Sequence, residues 1–217
     1  MSVTVCVIFL VFMSIVAHEV AHGYVAYRLG DPTAKMHGRL TMNPLAHVDL
    51  VGTIILPLFM YFTSGFIFGW AKPVPVNPRN FKNPVRDFGI VGAAGPAANI
   101  AIAVALGIFA RSVLFFGLMP LGTESLAATA IEIAFYVAMI NILLALFNLI
   151  PLPPLDGSRI LFAVLPQKWQ SAQDVLEKFG IVGMFLAFGI IYYYFEVFRY
   201  ATYEIARLIF GFYSFHI

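Results

Sequence analysis

Charge is scarce in this 217-residue chain: 11% of its residues are Asp, Glu, Lys or Arg, against 61% that are hydrophobic. Cysteine is nearly absent. The single one, Cys6, lies in an apolar run, which excludes a disulfide framework and a thiolate metal site. There is no basic block either; the 13 Lys and Arg residues are scattered among loops at a net charge of +2, so nucleic-acid binding has no support. Long polar stretches are missing, and the longest, 71–88 and 151–178, are too short for a separate soluble domain. No basic residue precedes the first apolar run, which argues against a cleaved signal peptide.

What the chain does have is long apolar segments, with a mean hydropathy of +0.88. About 20 helical residues cross the roughly 30 Å of bilayer hydrocarbon, so the expected class is an all-α polytopic membrane protein with about four to six transmembrane helices. The expected spans are 2–29, stopped by Gly30-Asp31-Pro32, then 89–111, 126–150 and 179–197. Beyond them, Arg199, Glu204 and Arg207 mark either an interfacial helix or a further crossing. The polar stretch 33–50, broken by Gly38 and Pro44, predicts a small β-hairpin. Residues 72–78 must be extended, because each residue before a proline avoids the helical region. The whole chain, 1–217, reads as a single integral-membrane domain with a core at 1–165 and a C-terminal helical region at 166–217.

The apolar run 51–70 has two readings. If it spans, the basic residues divide between the two sides of the membrane; if it enters and returns, ten of them share one side and Arg111 alone opposes them. The second pattern obeys the positive-inside rule far better, so a re-entrant element is favoured. It places the N-terminus outside.

Near the end of the first span stand His18, Glu19 and His22, an H-E-x-x-H pattern. At 3.6 residues per turn the two histidines share one helix face and can bind one Zn²⁺, with Glu19 beside the metal as a general base. A carboxylate in a membrane helix costs on the order of 3 kcal/mol and two imidazoles add to that, which points to function. A catalytic zinc needs a third protein ligand. Asp156 is the strongest candidate, since it follows a helix broken by Pro151, Pro153 and Pro154 and exits on the same predicted side. Asp31, Asp49, Asp87, Glu196 and His47 are rivals, set in loops or near helix ends. Asn148, at the end of an apolar span, is read either as functional or as a cap for the broken helix.

Three motifs taken together carry a resemblance: His18-Glu19-x-x-His22, then Gly95-Pro96-x-x-Asn99, then Asn148-x-x-Pro151-x-Pro153-x-Leu155-Asp156-Gly157. In this order they resemble the site-2 protease family of intramembrane zinc metalloproteases, and residues 72–84 are similar to its compact prokaryotic branch without PDZ or CBS domains. The resemblance implies one Zn²⁺ per chain held by His18, His22 and Asp156, Glu19 as catalytic acid/base, and Asn148 as a substrate-positioning or oxyanion residue. It implies proteolysis within or near the transmembrane segment of a membrane-protein substrate, after an upstream protease has trimmed it. It also implies a prokaryotic plasma membrane, with the active site toward the cytoplasm. Nothing fixes an oligomeric state. The competing reading is a metal-cation transporter or channel that uses the His/Asp cluster as an ion site.

Overall fold

The computed structural model describes residues 3–65, 69–117, 126–166, 169 and 180–211. Among the described residues, three helices are long and apolar enough to cross a membrane: α1 (Val3–Arg28), α4 (Pro84–Phe115) and α5 (Leu126–Asn148). α1 stops where expected. Gly30 is left-handed (φ 111°), and its N–H and that of Asp31 return to the carbonyls of Tyr27 (3.2 Å) and Ala26 (2.9 Å), which closes the last turn.

α4 is the hub, packing against α1 and α5 and, along its first turns, against α6 (Asp156–Val164). The apolar core lies between α4 and α5, where Ala103 and Ala110 meet Ile131, Ala134, Phe135 and Ala138. After α7 (Gly180–Tyr193), α8 (Phe195–Phe210) covers that core antiparallel to α5: Phe198 packs near Phe147 and Ile150, and Phe210 meets Phe135 edge-on at 5.3 Å. Both are shorter than a full span, with 14 and 16 residues. The expected break after α5 is present, and α6 opens directly with Asp156.

The β-hairpin predicted over 33–50 does not form, and no strand occurs among the described residues. Thr33–Met36 is a single helical turn (α2), and Pro44–His47 is a 3-10 turn begun by Asn43, whose Oδ1 accepts from the Leu45 N–H at 3.1 Å. Side chains have taken the backbone groups that a hairpin would pair. The Arg39 guanidinium donates to the carbonyls of Ala46, Lys72 and Pro73, and His47 Nε2 donates to that of Thr41 (2.9 Å).

Gly52 and Trp70, 18 positions apart, meet at one point. Asp49 caps a π-helical start, Leu50–Ile55, and α3 (Leu56–Ser64) ends at left-handed Gly65. The Trp70 N–H then donates to the Gly52 carbonyl (3.0 Å), and Thr53 Oγ1 donates to the Trp70 carbonyl (2.9 Å). A Cβ on Gly52 would overlap the Trp70 indole, so only glycine lets the two ends meet. The extended stretch that follows runs back over α1.

Candidate metal centre

His18 and His22 stack edge to face on α1, and Asp156 reaches them from the first turn of α6. Their ligand atoms converge: His18 Nε2 and His22 Nε2 are 3.0 Å apart, and Asp156 Oδ2 lies 3.2 Å from the first and 3.1 Å from the second. All three residues are buried.

The partners of the other ring nitrogens decide what these atoms offer. His22 Nδ1 lies 2.6 Å from the Val91 carbonyl oxygen, which can only accept, so Nδ1 carries the proton and Nε2 presents a lone pair. His18 Nδ1 lies 2.6 Å from Asn99 Oδ1, with the same result for its Nε2. Asp156 Oδ1 accepts from Arg159 at 3.2 Å, which turns Oδ2 toward the histidines, and the guanidinium rests on the Phe88 ring. Three acceptors facing one another at this range repel unless a cation or proton lies among them. Two imidazoles and one carboxylate form a zinc-type donor set that leaves a fourth position open. Room for an ion comes from Gly95, where an added Cβ would overlap Nε2 of both histidines.

A cavity of about 220 Å³ opens onto this cluster, lined also by Glu19, Asn148, Pro73, Val74 and Arg159. Glu19 Oε2 accepts from the Val74 N–H at 2.8 Å, so the extended stretch after Trp70 orients that carboxylate. Asn148 Nδ2 donates to the Leu144 carbonyl at 3.0 Å, and its side chain forms part of the wall.

All five residues singled out in the sequence therefore share one site, while the rivals stay out of it. Asp49 caps the turn after it, Asp87 accepts from the Asn83 N–H, Glu196 pairs with Arg199, and His47 bonds Thr41. Asp31, Asp87 and His47 are buried, where the sequence suggested solvated loop positions. Burial pushes the Asp31 carboxyl up, but donors from Thr33, Asn77 and Asn80 outweigh it and hold the group below the usual carboxylate range. The sequence reading missed the steric role of Gly95, the Val74 amide and Asn141. The last of these lies seven positions before Asn148 and so on the same face of α5, the one signal that could have found it.

Comparison with known proteins agrees with this geometry. The model of peptidase family M50 matches residues 114–190. YwhC of Bacillus subtilis (strain 168), named as a zinc metalloprotease candidate, is 41% identical over 179 residues, which cover 81% of this chain and 76% of its own length. This chain belongs to peptidase family M50. Rip2 of Mycolicibacterium smegmatis is 28% identical, covering 78% of this chain and 61% of that protein. The zinc metalloprotease MJ0392 of Methanocaldococcus jannaschii is 27% identical, covering 74% and 34%. No solved structure matches the chain. The site-2 protease resemblance is borne out. With several apolar helices and bacterial relatives, the M50 member is a protein of a prokaryotic membrane.

Proposed function

We propose that this M50 protein cleaves peptide bonds within or near transmembrane segments of membrane proteins, using one Zn²⁺ held by His18, His22 and Asp156. The observation that carries this reading is the convergence of two imidazole lone pairs and one carboxylate oxygen at 3.0–3.2 Å, with Glu19 on the wall of the same cavity. Bound there, zinc would polarise the scissile carbonyl and lower the pKa of a water toward about 7. Glu19, oriented by the Val74 amide, takes the proton of the attacking water and returns it to the leaving amine. Asn148, which also lines the cavity, donates an amide N–H to the developing oxyanion, a contact of a kind worth about 3 kcal/mol elsewhere. Arg159 keeps Oδ1 of Asp156 occupied so that Oδ2 stays aimed at the cluster.

The distribution of basic residues supports an N-terminus outside and a site on the cytoplasmic side. The return of residues 50–70 to the Gly52–Trp70 contact supports a re-entrant element on that side. The run of α8 alongside α5 supports the reading of more than three crossings. The catalytic core spans 1–165, and a substrate trimmed by an earlier protease would enter partly unwound.

Glu19→Gln tests the reading. The variant should keep zinc, lose cleavage and accumulate membrane-bound fragments when membrane proteomes are compared with wild type. Cation transport that survived the change, with no peptidase activity in the wild type, would reject it.

A further inference from the structure

The two histidines hold their Nδ1 protons in different ways. His22 reaches a backbone carbonyl directly. His18 meets the side-chain amide of Asn99, and an amide has an acceptor end and a donor end that differ little in shape. Turned the other way, Asn99 would offer Nδ2 to His18 Nδ1, drive the proton to Nε2 and remove a lone pair from the cluster. Something must hold Asn99 in one orientation.

Asn141 does this from α5. Its Nδ2 donates to the Val137 carbonyl at 2.8 Å, and that oxygen cannot donate in return. The same Nδ2 donates to Ser14 Oγ at 3.0 Å, whose own proton goes to the Leu10 carbonyl at 2.9 Å. Asn141 Oδ1 is therefore the end that faces Asn99, and it accepts from Asn99 Nδ2 at 3.2 Å. Asn99 Oδ1 is left for His18. Both asparagines are completely buried, so no water can substitute for a lost partner at either amide. The direction set at Val137 passes through two amides and ends on the imidazole.

We propose that Asn141 is a positioning residue that keeps the His18 proton on Nδ1 by fixing the orientation of Asn99. The proposal rests on His18 being a zinc ligand. Outer partners of metal-bound histidines commonly change affinity by about 10- to 100-fold, and here the effective partner stands one residue further out. A purely structural Asn141, holding α1, α4 and α5 together, would explain the hydrogen bonds but not a dependence on their direction.

The test uses the full chain in detergent micelles and reads the zinc dissociation constant by competition with a chromophoric chelator. Asn141→Leu frees Asn99 to turn and should weaken zinc about 10- to 100-fold. Adding Asn99→Asp should restore most of that loss, because a carboxylate offers an acceptor to His18 in either orientation. Ser14→Ala should leave affinity within about threefold, since Val137 still sets the direction. Wild-type affinity in Asn141→Leu, or no rescue by Asn99→Asp, would overturn the proposal. A second measurement needs neither zinc nor a variant that folds: in metal-free wild type labelled with ¹⁵N-histidine, His18 should show a protonated Nδ1 whatever the state of Nε2, and an Nδ1 without a proton would overturn it. A wild type that shows this tautomer but binds no zinc would sink the metal-centre reading and leave the relay standing.

Discussion

Two buried polar regions lie at different heights on α1, and they use similar groups to opposite ends. At the exit of the helix, Asp31 accepts from the Asn77 N–H (2.7 Å), from Asn80 Nδ2 (2.6 Å) and from both the amide and hydroxyl of Thr33. Both carboxylate oxygens there face donors, three on Oδ1 and one on Oδ2. Three turns earlier, the outer atoms of His18, His22 and Asp156 are satisfied by Asn99, Val91 and Arg159, while their inner atoms face one another. Accessibility does not separate the two regions, since both carboxylates are shielded from solvent. A surplus of acceptors over donors at one point marks the centre; a balance marks a staple that ties residues 77–80 to α1.

If that contrast holds, substitutions near the centre change chemistry with little effect on stability, and those in the staple do the reverse. The largest effect is expected from Gly95→Ala, whose methyl would fill the space among the ligands: zinc binding, read by metal content after dialysis, should fall more than 100-fold. Next comes Val74→Pro, which removes the N–H that orients Glu19; turnover of a transmembrane peptide should drop on the order of 10- to 100-fold with zinc retained. Arg159→Met should weaken zinc about tenfold in a chelator competition, because Asp156 loses the partner that turns Oδ2 inward. Asp31→Asn sits on the other side of the comparison: it sets an amide against a cage of donors and should cost about 1–3 kcal/mol in denaturant unfolding, with zinc affinity unchanged.

The same carboxylate predicts a pH effect, the smallest of the series. Its folded pKa is lowered, so its contribution to stability is fully present above the unfolded value of about 3.9 and is lost as pH falls through the folded one. Wild type should therefore lose stability faster than Asp31→Asn below about pH 4 in an acid titration followed by circular dichroism. Parallel acid limbs would remove Asp31 from the account.

Much of the site was legible because its chemistry is local in sequence. His18 and His22 declare a shared face by their spacing, and the prolines around Asp156 declare a broken helix. The hairpin failed for a physical reason that spacing does not report. In 33–50 the turn residues Asn43 and Asp49 bond their own backbone, and Arg39 takes carbonyls from two separate segments, which leaves no ladder to form. Asn141 was invisible for the opposite reason. One amide in an apolar helix has no meaning until the helices opposite it are placed, and its partners are 42 and 127 positions away. Gly95 stood in the sequence only as part of a motif, and its role appears once the ligand rings that press against it are placed.

The Gly52–Trp70 contact has a consequence for how this family can vary. Because the neck is closed by the Trp70 N–H on the Gly52 carbonyl, the Thr53 hydroxyl and a packed indole, a change of length between Gly52 and Trp70 does not reach Val74 or the carboxylate it holds. Doubling such a loop adds only about 0.6 kcal/mol of closure cost. The stretch between Gly52 and Trp70 can thus be lengthened, shortened or exchanged while the geometry of the His18, Glu19 and His22 cluster is left unchanged.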